Sequence, residues 1–124
     1  METSQESRNR ATLQRLLEIA GAQDWDRLDE VMAADYYQHN PEGKNGLAAT
    51  KEHLSELGPL EAQVYRVIAE GDLIAIHSHF KGLNAAAVDI FRFDADARIV
   101  EHWDVIQPVP ESTASGNDMF SQLS

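Results

Sequence analysis

The fold is decided by one stretch of sequence, Val88-Asp-Ile-Phe-Arg-Phe-Asp-Ala-Asp-Ala-Arg-Ile-Val-Glu-His-Trp-Asp-Val-Ile-Gln107. Apolar and polar residues alternate on both sides of Ala95-Asp96-Ala97, which predicts two strands joined by a short turn. Asp89 lies in the first strand, and His102 and Asp104 lie two positions apart in the second, so these two side chains share one face. A carboxylate or an imidazole on an apolar face costs free energy unless it is paired or used. This hairpin is therefore the first candidate for an active site.

Apolar residues also recur every two positions in the segments before the hairpin. Near the start of the chain they recur every three or four positions, as in a helix. Strands are predicted at Ala62–Glu70, Leu73–Lys81, Ala85–Asp94 and Arg98–Gln107. The first helix is predicted at Ser7–Ala20 and the third at about Asn45–Leu57. The second helix is predicted to follow Asp24 as its cap, with the apolar stripe Trp25, Leu28, Val31 and Met32. An extended segment, Asp35–Pro41, is predicted between the second and third helices. Three helices followed by an antiparallel meander predict an α+β fold. A curved sheet with helices across its concave face makes a cone that encloses a pocket.

The 124 residues suffice for one domain, residues 1–124, with a core of its own. We expect residues 1–6 to be flexible and residues 108–124 to form a tail. That tail contains the apolar pair Met119-Phe120, which could fold back as a lid or fray.

The composition narrows the classes of partner. The formal net charge is −11, which argues against nucleic acids and anionic membrane surfaces. No apolar run is long enough for a membrane span, and the first residues do not have the pattern of a signal peptide. The chain has no cysteine, which excludes disulfides and thiolate metal sites and makes the cytoplasm the expected location. A small molecule is the expected partner.

Several segments together resemble one family. They are Asp35-Tyr-Tyr-Gln-His-Asn-Pro41, Gly71-Asp-Leu-Ile-Ala-Ile-His-Ser-His79, Val88-Asp-Ile-Phe-Arg-Phe93, Ile99-Val-Glu-His-Trp-Asp-Val-Ile-Gln107, Val109-Pro-Glu111 and Asn117-Asp-Met-Phe120. The chain resembles the nuclear transport factor 2-like superfamily, and within it the SnoaL-like polyketide cyclase group of small bacterial proteins described as predicted aldol-condensation enzymes. The resemblance implies a cystatin-like cone and a homodimer formed through the convex face of the sheet. It leaves the substrate open, because the fold hosts isomerases, dehydratases, cyclases, epoxide hydrolases and binding modules.

Ketosteroid isomerase offers a second comparison. Its strand with the protonated oxyanion-hole aspartate is similar to Asp89–Asp94, which implies that Asp89 faces the pocket together with His102, Asp104 and Ile106. The isomerase's base falls on Asn40, and an amide cannot take up a proton at neutral pH. In SnoaL-like cyclases the base is an aspartate late in the sheet, and Asp104 matches it best.

The hairpin residues carry the predicted acid–base chemistry. Asp104 is the predicted general base, the alternative being a surface salt bridge to an arginine. His102 would hold or protonate Asp104 or act as the acid, the alternative being a hydrogen bond within the core. Asp89 would stay protonated and donate a hydrogen bond to a developing enolate, the alternative being an ion pair with Arg98, Arg92 or a histidine.

Further candidates lie outside the hairpin. His39 is predicted as a second acid or base, and Asn40 as a group that orients a carbonyl, the alternative being a turn in which Asn40 caps the next helix. Tyr37 and Ile106 are predicted to contact the substrate. His79 is included because the register of its strand is not fixed, although the apolar face of that strand is the ordinary choice for the interior.

Three functions compete. The first is a cofactor-free enzyme that removes a proton beside the carbonyl of a small hydrophobic molecule and so catalyses aldol-type cyclisation, isomerisation or dehydration. The second is a metal site built from His39, His102 and either His79 or Asp104. The third is a non-catalytic module that binds a hydrophobic ligand or forms a dimer.

Overall fold

The computed structural model describes residues 1–123, in which two α-helices and one 3₁₀ helix precede or interrupt five strands. The helices are α1 (Ser4–Ala22), the 3₁₀ helix (Trp25–Glu30) and α2 (Leu47–Leu57). The strands are β1 (Met32–Gln38), β2 (Ala62–Glu70), β3 (Leu73–Phe80), β4 (Ala85–Phe93) and β5 (Ile99–Pro108). The predicted α+β class and the curved sheet are confirmed.

One sheet with the strand order β1-β5-β4-β3-β2 forms the body of the molecule. Strands β2 to β5 are an antiparallel meander, as predicted, whereas β1 is added at the edge parallel to β5. Its register places Met32 opposite Ile99 and Gln38 opposite His102. The early part of the chain therefore lies directly beside the last strand.

The apolar core lies on the concave face of the sheet, under the helices. Leu13 and Ile19 of α1 and Leu28 of the 3₁₀ helix are buried there against Ile74 and Ile99 of the sheet. Burial of one such side chain contributes about 2 kcal/mol to folding. None of the helices among the described residues is long and apolar enough to cross a membrane.

Helix α1 begins at Ser4, inside the segment that we expected to be flexible. The cause is a capping box, in which the Thr3 side chain accepts a hydrogen bond from the Glu6 backbone and Glu6 Oε1 accepts one from the Thr3 backbone. Glu6 also accepts a hydrogen bond from the backbone of Gly71, which fastens this end of the helix to the β2–β3 turn.

The predicted second helix is shorter and of a different type. It is a 3₁₀ helix that ends at Glu30, and the side chain of Asp24 makes no capping hydrogen bond. Val31 and Met32 do not continue its apolar stripe, because the Val31 carbonyl accepts a hydrogen bond from Ile99 at 2.8 Å and the chain enters β1. The extended segment therefore starts at Met32 and not at Asp35.

The tail after β5 is anchored at Phe120, on the side of the sheet opposite the cavity. Phe120 is buried against the convex face of the sheet, where its ring lies 5.0 Å from that of Tyr65 and 4.8 Å from that of His79. Arg66 donates a hydrogen bond to the Phe120 carbonyl. The expectation of a lid or a frayed end is corrected at this position, since Phe120 holds the tail on the face opposite the core.

Candidate active site

A cavity of about 180 Å³ lies between the concave face of the sheet and the helices. Its walls are mainly apolar side chains, among them Leu16, Leu54, Leu60, Ile76, Phe80 and Leu83. The sheet and the residues just after β1 contribute six polar side chains: Tyr36, Gln38, Asn40, Asp89, His102 and Asp104; α2 adds Thr50 and His53. Cavities with apolar walls and a few convergent polar groups are the usual form of small-molecule sites.

The register of the hairpin brings the three predicted acid–base residues together. Asp89 lies directly opposite Asp104 in the β4–β5 pair, and His102 lies two residues before Asp104 on the same face. His102 Nε2 is 2.8 Å from Asp89 Oδ1 and 3.9 Å from Asp104 Oδ2. Asp89 and His102 are buried, and the imidazole contacts the first carboxylate and lies near the second.

Gln38 fixes the tautomer of His102. Its amide oxygen accepts a hydrogen bond from the Asn40 backbone at 2.9 Å, so the atom facing His102 Nδ1 at 2.8 Å is an acceptor. His102 Nδ1 therefore carries a proton. The free choice of tautomer that an isolated imidazole has is lost here.

The contact between His102 Nε2 and Asp89 Oδ1 holds a single proton. Either a charged imidazolium donates to a carboxylate, or a neutral imidazole accepts from a carboxylic acid. In both forms Asp89 Oδ2, which is buried and has no hydrogen-bond partner within residues 1–123, is left as an acceptor. This arrangement does not supply the hydrogen-bond donor role that we predicted for Asp89. The alternative, an ion pair with a histidine, describes the observed contact better.

Asn40 holds Asp104 from the other side. Its amide nitrogen lies 2.8 Å and 3.0 Å from the two carboxylate oxygens of Asp104, which is 64 residues away in sequence. The Asn40 oxygen accepts a hydrogen bond from the backbone of Glu42, so the nitrogen must face Asp104. Asn40 thus positions the predicted base, a role different from the carbonyl-orienting one that we predicted.

Tyr36 is almost fully buried and lines the same cavity. Its hydroxyl oxygen accepts a hydrogen bond from Gln38 Nε2 at 3.0 Å. Burial raises the pKa of the Tyr36 phenol, the hydrogen bond from Gln38 lowers it in part, and the charges of Asp104 and Asp89 raise it further. The phenol therefore keeps its proton throughout the physiological range.

His39 and Tyr37 lie on the convex face, outside the cavity. The His39 ring stacks on Trp103 at 4.8 Å and contacts Tyr37 at 4.9 Å, and its Nε2 is 2.6 Å from Glu101 Oε2. The hydrogen bond from His39, followed by that from Arg92, lowers the pKa of Glu101. The predicted acid–base role of His39 and the predicted substrate contact of Tyr37 are corrected, because the sheet separates both side chains from the cavity.

His79 also lies on the convex face, against Phe120 and Asn84, and our inclusion of it among the substrate contacts is corrected. The register of β3 places Ile76 and Phe80 at the cavity. Ile106 lies at the cavity as predicted and is partly exposed.

The predicted metal site cannot form from its original ligand set, because His39 and His79 lie across the sheet from His102. A different set is close together: Asp89, His102 and Asp104 each offer one ligand atom, and these atoms lie within 4.8 Å of one another. A divalent ion held there would have to replace the proton between His102 Nε2 and Asp89. Gln38 would then be the outer-shell partner of the histidine.

Four polar cavity residues were not predicted as functional: Gln38, Tyr36, Thr50 and His53. The signal for the first two is present in the sequence. Tyr36, Gln38 and Asn40 are spaced by two, so they share a face of an extended segment, whereas Tyr37 and His39 share the other. His53 lies on α2, and we find no comparable sequence signal for its place at the cavity.

Residues 13–102 match the SnoaL-like domain family over most of the chain. The chain belongs to this family. None of the curated proteins matches this SnoaL-like chain.

Solved structures share the fold at low sequence identity. An NTF-2 like protein of unknown function from Burkholderia xenovorans superposes with a TM-score of 0.78 at 18% identity, covering 98% of this chain and 100% of its own. A steroid delta-isomerase from Pseudomonas aeruginosa gives 0.68 at 19% identity, covering 93% and 87%. A SnoaL-like polyketide cyclase from Agrobacterium tumefaciens gives 0.67 at 13% identity, covering 86% and 93%. These likenesses establish the fold of the SnoaL-like chain and leave its reaction to be argued from the site.

Proposed function

We propose that this SnoaL-like protein is an acid–base enzyme that removes a proton from the carbon beside the carbonyl group of a small, neutral, hydrophobic molecule. The observation that carries the proposal is the Asp104 carboxylate. This carboxylate lines a mainly apolar cavity and accepts a hydrogen bond from Asn40. It lies 3.9 Å from Nε2 of His102, which shares a proton with Asp89. A positioned carboxylate is the group that such a proton transfer needs.

The proposed step needs no external reactant. Asp104 takes the proton from the carbon, and the electron pair of that C–H bond forms the carbon–carbon double bond of an enolate. The carbonyl electron pair moves to the oxygen, which becomes negative. Asp104, which now carries the proton, returns it to the enolate, and a charged His102, whose Nε2 lies 3.9 Å from Asp104 Oδ2, would offset part of the negative charge. Isomerisation, aldol-type cyclisation and dehydration all begin in this way.

The cavity favours a neutral ligand. Among the described residues, no lysine or arginine lines the cavity, whereas two acidic residues, Asp89 and Asp104, do. A phosphate or a free carboxylate would therefore be desolvated against like charges. The volume is slightly larger than the cavity of about 150 Å³ that holds benzene, which fits one ring with a short carbonyl substituent.

The experiment uses acetophenone, a neutral one-ring ketone, and follows exchange of its methyl protons in D₂O by proton NMR. The wild-type protein should accelerate this exchange, and Asp104→Asn should lower the rate by about 10²- to 10⁴-fold, the usual contribution of a general base. Asp35→Asn is the matched control, because Asp35 is exposed on β1.

Two results would contradict the proposal. Equal exchange in the wild type and in Asp104→Asn would remove Asp104 from the role of base. Binding of acetophenone without any acceleration by the wild type would favour the non-catalytic binding module. Stoichiometric metal in the purified protein, lost in His102→Ala, would instead favour the site formed by Asp89, His102 and Asp104.

The convex face supports a second proposal, that two copies of this chain form a homodimer. Val105, Val88 and Ile68 are exposed there by 75%, 41% and 64%. The register places Val88 opposite Val105, whereas Ile68 lies in the next row on the same face, with Ala75 and Ile90. Exposed apolar side chains on one face of a sheet are typical of protein interfaces.

A further inference from the structure

The hairpin residues and Asn40 do not provide a hydrogen-bond donor for the negative enolate oxygen of the proposed reaction. Asp89 Oδ2 is an acceptor in both forms of the Asp89–His102 pair, and the amide nitrogen of Asn40 is occupied by Asp104. An unpaired oxyanion in an apolar cavity is costly, and removing one positioned donor typically slows catalysis by about 10²- to 10³-fold. Some other group at the cavity must fill this role.

Tyr36 has the required free proton. Its hydroxyl oxygen accepts the hydrogen bond from Gln38 Nε2, and this is the one hydrogen bond that the hydroxyl makes within residues 1–123. The orientation of the Gln38 amide is fixed independently, because its oxygen accepts from the Asn40 backbone and from His102 Nδ1. Gln38 therefore cannot turn to accept the Tyr36 proton, and that proton remains available to a ligand.

The position of the hydroxyl agrees with this role. Tyr36 lines the cavity, and its ring lies 6.4 Å from the ring of His102 in a stacked arrangement. The carboxylates of Asp104 and Asp89 are close enough to raise the pKa of the phenol, and burial raises it more. The group thus remains a donor and does not become a second anion.

We propose that Tyr36 is a catalytic residue that donates its phenolic hydrogen bond to the carbonyl oxygen of the substrate and to the enolate oxygen that forms from it. This inference rests on the proposed function, since it assumes a carbonyl ligand in the cavity. Gln38 is the positioning residue that leaves the Tyr36 proton free for the ligand.

The test uses benzaldehyde, a carbonyl compound that cannot enolise, so its binding does not depend on turnover. Binding to the wild-type protein should lower the carbonyl stretching frequency in the infrared spectrum. In Tyr36→Phe this lowering should largely disappear, and the affinity should fall about fivefold, as expected for one neutral hydrogen bond. Exchange of acetophenone protons should fall about 10²-fold or more in the same variant.

Tyr37→Phe is the matched control, because the neighbouring tyrosine lies on the convex face. It should bind benzaldehyde with the wild-type frequency and affinity. Toluene, which has no oxygen, should bind equally to the wild type and to Tyr36→Phe, which shows that the cavity of the variant is intact.

Each outcome separates the two proposals. Unchanged carbonyl frequency and affinity in Tyr36→Phe would overturn the role of Tyr36 and leave Asp104 untouched. A wild-type protein that binds toluene but not benzaldehyde would overturn the proposed carbonyl ligand and this inference with it. The expected infrared shift in a protein that does not accelerate exchange would keep Tyr36 as a ligand donor and reject the enzymatic reaction.

Discussion

Both the oxygen and the nitrogen of the Gln38 side-chain amide make hydrogen bonds, and these bonds connect residues that lie far apart in the sequence. Its oxygen accepts two hydrogen bonds and its nitrogen donates one, so a single side chain sets the proton positions on His102 and on Tyr36. Networks of this kind are worth more when complete, since one missing partner leaves buried groups unsatisfied.

The alternation of residues along β1 and just after it explains which candidate residues lie at the cavity. Asn40 lies at the cavity and His39 does not, because adjacent residues in an extended chain point to opposite faces. That rule could have been applied to the sequence, and it would have placed Gln38 with Asn40. The pairing of Gln38 with His102 could not be predicted, since it depends on a register between strands that the sequence does not reveal.

Glu101 gives a prediction at the residue scale. Its pKa is lowered by the hydrogen bonds from His39 and Arg92, so it favours folding above its ordinary pKa of 4.5, and this contribution is lost as the pH falls through the lowered value. Glu101→Gln should therefore lower the free energy of unfolding at pH 7 and match the wild type in strong acid. Urea unfolding at several pH values measures this.

The control for that measurement is Glu70→Gln, on the exposed edge strand β2. We expect a smaller difference from the wild type there. A deficit in Glu101→Gln that stays constant across the pH range would show that packing, and not ionisation, is responsible.

At the scale of elements, the meander was predictable and the parallel edge strand was not. Apolar alternation located β2 to β5 with bounds within one residue of those observed. β1 pairs with a strand that is distant in sequence, and its first residues have an apolar spacing that also suits a helix. The contact with β5 decided between the two, which is a tertiary effect on local structure.

We expect Phe120, which anchors the tail, to stabilise the fold without affecting the cavity. Phe120→Ala should lower the free energy of unfolding by about 2 kcal/mol, because a largely buried aromatic side chain is lost. Limited proteolysis should cut the tail of this variant faster. Benzaldehyde affinity should not change, because Phe120 lies across the sheet from the cavity, and a marked change in affinity would restore the lid interpretation.

For the whole molecule, the two faces of the sheet have different tasks. The concave face carries the proposed chemistry, and the convex face carries exposed valines, the His39–Trp103 stack and the docked tail. The formal charge of −11 opposes association at low salt. A stable dimer would need to bury about 1,200 Å² or more to overcome it.

Val105→Lys tests the dimer. In the proposed dimer a lysine at this exposed position of the convex face would be buried without a partner, so sedimentation equilibrium should show less dimer for the variant than for the wild type. Leu123→Lys, in the exposed tail, should leave the wild-type dimer intact. A wild-type protein that sediments as a monomer at high concentration would reject the proposed interface.

The parallel pairing of β1 with β5 has a consequence for synthesis on the ribosome. Asn40 and Tyr36 are synthesised before Asp104 and His102, so the proposed site residues meet only after β5 has left the exit tunnel. Until then the nascent chain exposes the apolar side of its first helix and first strand. Ribosome-bound intermediates that stop before β5 are therefore expected to need a chaperone and to be inactive.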